Sequence, residues 1–132
     1  ALLRRDSRLV VVLLGVPAEA SLNEDIASLV QSDRVVNVAR ELPIPRLLAL
    51  QERALGMISV DTGPAHSAAA LDCPLVVLFG QVNVDRWAPR SPRCAVQTVT
   101  GGSGTSDGIL GIAVQDVEEA WDRLQESIAR LP

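Results

Sequence analysis

The sequence predicts an α/β fold, a doubly wound parallel sheet of the Rossmann type. Strand-like apolar runs alternate with helical patterns along the 132 residues, which is the order of βαβ units. Residues 9–14 are continuously apolar rather than alternating, as in a strand that is covered on both faces. Gly15, Asp61 and Gly80 each follow such a run. Because open α/β sheets bind ligands at the carboxyl ends of their strands, the pattern also predicts where a site lies.

The expected strands are short and aliphatic, and they occupy residues 9–14, 35–38, 57–60, 74–79 and 94–99. A capping box of Ser21 and Glu24 predicts the start of the first long helix, with apolar residues following at helical spacing. A second helix is expected to begin at Pro45, and a third to cover residues 64–71.

The two ends of the chain carry helical patterns. Asp116 with Glu119 forms a second capping box before the last helix, whose predicted apolar face comprises Val117, Trp121, Leu124, Ile128 and Leu131. Residues 100–108 are rich in glycine and are expected to form a mobile surface loop. Residues 1–5 resemble the tail of a helix, whereas a doubly wound domain usually begins with a strand. We therefore expect residues 1–132 to form a single domain that is a fragment lacking its first βα unit.

Composition narrows the class of protein. Apolar residues make up 48% of the chain, enough to bury a core and to argue against disorder. The net charge of −4 argues against a nucleic-acid surface, and all twelve basic residues are arginine, which excludes lysine-dependent chemistry within the chain. Cys73 and Cys94, with a single histidine, make a poor metal site, so we expect reduced thiols and no metal. Neither a membrane span nor a signal peptide is visible, and a cytoplasmic location is expected.

Residues 61–66, with the sequence DTGPAH, are the strongest candidate for a site. They lie between a predicted strand and a predicted helix that Pro64 suits as a first residue. Free N–H groups and the positive end of the helix dipole make such a turn a natural phosphate site. Gly63 lets a ligand approach the backbone closely. Asp61 and Thr62 could instead only cap the helix, and His66 could be a structural histidine.

Three segments together carry a family resemblance: residues 58–71, with the DTGPAH block, residues 74–80, ending in LFG, and residues 86–89, with the sequence RWAP. They resemble the C-terminal half of glycosyltransferase family 9, the family of the ADP-heptose:lipopolysaccharide heptosyltransferases. The resemblance implies a GT-B enzyme with two Rossmann-like domains. This chain would be the nucleotide-sugar-binding domain, and the missing N-terminal domain would hold the acceptor and the catalytic carboxylate base, so no catalytic residue is assigned here.

The resemblance also implies roles for individual residues. Thr62, Gly63 and His66 would hold the donor diphosphate, with Asp61 near the sugar. Glu19 would accept hydrogen bonds from the ribose hydroxyls, and Leu42 would lie where the adenine is recognised. The expected ligand is a nucleotide-sugar, ADP-linked and heptose-like, with no cofactor or metal, and the partner is a lipid-linked or glycan acceptor in lipopolysaccharide or related glycan synthesis. The full-length protein would be cytoplasmic, either free or peripheral at the inner membrane.

Other features leave alternatives open. Glu19 could be a solvated loop residue, Arg86 could reach a phosphate or stay in solvent, and Trp87 is expected to pack. The family usually carries Pro-Thr-Asp-Pro after LFG, whereas residues 81–84 here are QVNV. This replacement motivates an alternative function, a non-catalytic Rossmann-like nucleotide-binding module derived from the family. A nicotinamide-binding domain is disfavoured, because no G-x-G-x-x-G follows the first strand. The chain alone is expected to bind nucleotide weakly and not to turn over.

Overall fold

The structure is a computed structural model that describes residues 2–80, 83–101 and 108–130. Its elements, in chain order, are α1 (Leu2–Arg5), β1 (Val11–Leu13), α2 (Ala20–Val30), β2 (Val35–Asn37), α3 (Ile44–Gln51), β3 (Met57–Val60), α4 (Gly63–Ala70), β4 (Leu75–Phe79), α5 (Val84–Trp87), β5 (Val96–Thr100) and α6 (Val114–Ala129). Short 3₁₀ turns at Pro17–Glu19 and Gly108–Gly111 precede α2 and α6. The chain divides into two compact units, Ala1–Leu47 and Leu48–Pro132.

In the first unit, β1 and β2 pair in parallel, with Val11 opposite Val35 and Leu13 opposite Asn37. Helix α2 packs on β2. The Arg34 guanidinium donates to the backbone carbonyls of Leu3, Asp6 and Leu9 at 2.7, 2.9 and 3.1 Å. This one side chain therefore ties the end of α1 and the approach to β1 onto the base of β2.

In the second unit, β4 lies between β3 and β5, and both pairings are parallel. Its alternate side chains enter two separate clusters. Leu75, Val77 and Phe79 pack with the small residues of α4, whereas Val76 packs with Leu124 of α6. Helices therefore cover both faces of this sheet, which confirms the predicted doubly wound parallel α/β class. Burial raises the pKa of the Cys73 thiol, at the base of β4, to about 11.

Both predicted capping boxes are wrong. Ser21 lies inside α2, which begins at Ala20, because the preceding 3₁₀ turn already starts the helical path. Helix α6 begins at Val114, and the Asp116 N–H already donates to the Ala113 carbonyl at 3.1 Å. Asp116 is thus in the first turn of the helix and is not its cap.

The other boundaries shift by smaller amounts. Strand β3 is confirmed to the residue, β5 starts two residues later than expected, and α5 is a short helix that was not among the predicted elements. Most of the glycine-rich stretch, residues 102–107, lies outside the described residues, as do Leu131, Gln81 and Val82. None of the helices in the described ranges is both long enough and apolar enough to cross a membrane.

Candidate functional site

The turn between β3 and α4 presents three of the predicted site residues to solvent. Thr62, Gly63 and His66 are exposed, while Ala65, between them, is fully buried against the sheet. Thr62 precedes the helix in an extended conformation, with φ −144° and ψ 172°. Its hydroxyl donates to the Val60 carbonyl at 3.3 Å and makes no capping bond to the helix. The capping alternative for Thr62 is therefore wrong, and its side chain belongs to the end of the strand.

Fewer backbone N–H groups are free at this turn than the sequence predicts. Pro64 has none, and the Ala65 N–H donates to the Thr62 carbonyl at 2.9 Å. The His66 N–H reaches the same carbonyl at 3.4 Å. Within the described ranges, no acceptor is paired with the Gly63 N–H. The backbone donor that remains for a ligand is thus at Gly63, on the first residue of α4.

The space beside Gly63 is open. Apart from its chain neighbours and the adjacent backbone of α4, a Cβ atom built on Gly63 meets no atom within 4 Å, and the backbone there has no positive φ. The protein's own packing and backbone therefore do not require glycine at this position. The turn is not plugged by side chains, and an anion has room to approach the backbone.

Asp61 and His66 form a pair across the turn. Asp61 Oδ1 lies 3.3 Å from His66 Nε2, and the two side chains are 24% and 50% exposed. The aspartate is thus in ion-pair contact with the imidazole one turn into the helix, and Nδ1 has no protein partner among the described residues. When both ring nitrogens carry a proton, Nε2 faces Asp61 and Nδ1 can donate a hydrogen bond to a phosphate oxygen near the free Gly63 amide.

The first unit contains an open groove of about 580 Å³. Its lining comprises Gly15, Val16, Pro17, Ala39, Arg40, Glu41, Leu42, Pro43 and Arg46. Leu42 is half-buried in this lining. Glu19 is exposed and its Oε2 accepts a hydrogen bond from the Val16 N–H at 2.9 Å, beside Gly15. Glu19 and Leu42 therefore adjoin one groove, and the second carboxylate oxygen of Glu19 remains available to a ligand.

Two asparagines that no sequence motif marked support the backbone next to this groove. Asn23, 7% exposed, donates to the Leu14 carbonyl at 3.0 Å and to Asn37 Oδ1 at 3.4 Å. Asn37 donates to the Ala20 carbonyl at 2.9 Å and accepts from the Ala39 N–H at 3.1 Å. Their signal in the sequence is a polar residue inside an apolar strand pattern, at Asn37.

The RWAP segment is more exposed than expected. Trp87 was predicted to pack, but it is 51% exposed, and the Arg86 guanidinium lies 5.3 Å from the centroid of its ring. Arg86 is thus a solvent-facing side chain stacked on its neighbour. Asn83 accepts the Arg86 N–H at 3.2 Å and caps α5. In the described part of the chain, no three histidine, cysteine or acidic side chains are grouped as metal ligands would be.

Sequence comparison with known proteins shows which family this chain resembles. The model of glycosyltransferase family 9 (heptosyltransferase) matches residues 2–104. Lipopolysaccharide heptosyltransferase 3 of Escherichia coli is 42% identical over 72 residues, which are 54% of this chain and 21% of that protein. The K12 protein of the same name is 33% identical over 66 residues, or 50% of this chain and 19% of its own length. This chain therefore spans about a fifth of these relatives.

Solved structures agree in fold. The structure of E. coli ADP-heptose lps heptosyltransferase II superposes with a TM-score of 0.77 at 25% identity, over 91% of this chain and 37% of that one. E. coli heptosyltransferase WaaC with ADP superposes with a TM-score of 0.74 at 20% identity, over 92% and 36% of the two chains, and this likeness supports the fold alone. Because the family model matches most of this chain, residues 2–104, the chain belongs to glycosyltransferase family 9.

Proposed function

We propose that this chain is the donor-binding domain of an inverting glycosyltransferase that uses a nucleotide-diphospho-sugar, ADP-linked and heptose-like, in lipopolysaccharide or related glycan synthesis. The observation that carries the proposal is the open turn at Gly63, where an unpaired amide, an imidazole in contact with Asp61 and empty space coincide. A cytoplasmic location, and an acceptor bound by a part of the protein outside this chain, belong to the same proposal.

The diphosphate is the part of the donor that this turn suits. When the bond from the sugar C1 to the phosphate oxygen breaks, the electron pair stays on the departing ADP, whose negative charge grows. The Gly63 amide, at the positive end of α4, can donate a hydrogen bond to that charge as it develops, and so can His66 when its Nδ1 carries a proton. Asp61 contacts the imidazole and lies beside it, at the place proposed for the sugar.

The groove of the first unit is proposed for the nucleoside. Leu42 contributes an apolar surface for the base, and the free oxygen of Glu19 is an acceptor for a ribose hydroxyl. In the displacement itself, the acceptor hydroxyl attacks C1 on the face opposite the leaving ADP. Its proton passes to a carboxylate base outside this chain, and the configuration at C1 inverts. The proposal requires neither a cofactor nor a metal.

The first test is titration of the ¹⁵N-labelled 132-residue chain with millimolar ADP. We expect the amide signals of Thr62, Gly63 and His66 to move. Because Asp61 contacts the imidazole, Asp61→Ala combined with His66→Ala should weaken binding about tenfold, the loss of one charge-assisted hydrogen bond. Asp116→Ala, which removes an exposed carboxylate on α6, is the matched control and should bind as the wild type does. Signals that stay still at 10 mM ADP, or an affinity untouched by the double substitution, would contradict the proposal.

A second candidate function, a non-catalytic nucleotide-binding module, is favoured by one observation. Asn83 falls within the segment that departs from the family pattern, and its side chain is occupied in capping α5. Assays of the full-length protein with ADP-sugars and UDP-sugars distinguish the two functions. Transfer to any acceptor excludes the module, whereas ADP binding without transfer supports it.

A further inference from the structure

Gln51, the last residue of α3, is one of the most buried polar side chains of the second unit, with only 2% of its surface exposed. Both ends of its amide are satisfied. Nε2 donates to the Pro64 carbonyl at 2.8 Å, and Oε1 accepts from the Ser67 hydroxyl at 2.8 Å. The Ser67 hydroxyl also lies 3.1 Å from the Pro64 carbonyl. The one Ser67 hydroxyl proton can be shared between the two oxygens, with the shorter contact to Gln51, so Gln51 links Pro64 and Ser67 across 13 to 16 residues of sequence in what we term the Gln51 ring.

The hydrogen bonds of the Gln51 ring fix the first turn of α4 through the Pro64 carbonyl and the Ser67 side chain. Pro64 is flanked by Gly63, which carries the free amide, and Ser67 follows His66 directly. On another side, Ala65, Ala68 and Ala69 pack against the sheet without any directional contact. An apolar residue at position 51 would fill the same space without the cost of burying an amide. The directional bonds are therefore what distinguishes Gln51 from such a residue.

We propose that Gln51 is a positioning residue, which through Pro64 and Ser67 holds the Gly63 amide and the His66 imidazole in the geometry that receives the donor diphosphate. This proposal rests on the proposed function. Gln51 itself does not touch the ligand: it acts on the turn through the backbone of α4.

The test compares four variants by ADP affinity and by the signal of His66. Since His66 is the only histidine in the chain, ¹³C labelling of histidine gives one resonance that reports the imidazole directly. Gln51→Leu keeps the bulk and removes both hydrogen bonds, and Ser67→Ala removes one. Ser67→Thr keeps the hydroxyl and should rescue the site. Val99→Ala, in the cluster on the other face of the sheet, is a control for general loss of stability.

We expect Gln51→Leu to weaken ADP binding about tenfold and to move the His66 resonance in the free protein, as is typical when a residue that orients a site is lost. Ser67→Ala should weaken binding less, and Ser67→Thr should bind within about twofold of the wild type. Val99→Ala should lower Tm and leave both readouts unchanged. A Gln51→Leu protein that binds ADP as tightly as the wild type overturns the positioning role alone. A wild-type chain that does not bind ADP overturns the proposed function, and the role of Gln51 with it.

Discussion

Replacing Gly63 by alanine tests separately whether glycine at this position is required for stability and whether it is required for binding ADP. In the free protein the added Cβ has no atom within 4 Å apart from its chain neighbours and the adjacent backbone of α4, and the backbone is not in the left-handed region. Alanine also narrows the conformational freedom of the unfolded chain, which is worth about 0.4–1 kcal/mol where the native backbone accepts it. For a domain of this size, that gain corresponds to a rise in Tm of about 1–4 °C. A ligand phosphate at the Gly63 amide, in contrast, would meet the new methyl group.

We therefore expect Gly63→Ala to be as stable as the wild type or slightly more stable, and to bind ADP at least about tenfold more weakly, the equivalent of 1.4 kcal/mol. Gly56→Ala is the reverse control. Its Cβ would lie 3.0 and 3.1 Å from ring carbons of Trp121 and 3.2 Å from the Pro74 carbonyl oxygen. This overpacking should cost about 1–3 kcal/mol, without changing the affinity for ADP.

Urea unfolding followed by circular dichroism measures the free energy of unfolding, and NMR titration or calorimetry measures the affinity. If Gly63→Ala is destabilised by more than about 1 kcal/mol, the space beside Gly63 is not free. If the variant binds ADP as well as the wild type, the Gly63 amide does not face the diphosphate. Only the combination of retained stability and lost affinity agrees with an open turn used by a ligand.

Two further predictions concern buried polar groups. At pH 8 a thiol reagent should label Cys94 well before Cys73, because a pKa of about 11 keeps the Cys73 thiol protonated. Mass spectrometry of digests measures how much of each cysteine is labelled over time. Because that pKa lies above the ordinary value of 9.0, the unfolded state loses its proton first, so stability should fall as pH rises from about 9 to about 11, and Cys73→Ser should remove this part of the slope in urea titrations. Asn37→Leu leaves the Ala20 carbonyl and the Ala39 N–H without their partner and should cost about 1–3 kcal/mol of stability. It should also disturb amide signals along the groove while those of Thr62 and Gly63 stay in place; an undisturbed groove would show that Asn37 does not shape it.

The core strands could be predicted from the sequence because their signal is local. Strand β3 is bounded by Gly56 and Asp61, and β4 is a continuous apolar run, as expected of a strand with helices on both faces. The bounds of β5 were predicted less well, because they depend on pairing with β4, from Leu75 opposite Val96 to Phe79 opposite Thr100. A pattern within one segment carries no information about where its neighbour in the sheet stops.

The candidate site was only partly predictable for a related reason. The turn at residues 61–66 is contiguous, so one motif marked Asp61, Gly63 and His66 together, although the contact between Asp61 and His66 was not predicted. Gln51 acts on Pro64, 13 residues away, and such a partnership leaves no periodic trace in the sequence. The capping boxes failed for the opposite reason, because the motif was present but the helix had already begun upstream.

The pairing of Asp61 with His66 has a consequence for the kind of anion recognition this turn can perform. A carboxylate and an imidazole 3.3 Å apart bring no surplus of positive charge, even when the imidazole carries a proton. Attraction of a polyanion over long distances therefore gains nothing from this pair, and added salt has little here to screen. Selection at the turn must come from short-range fit, that is, from the match between oxygen positions and fixed N–H directions. Such a turn distinguishes ligands by shape much more than by their number of charges.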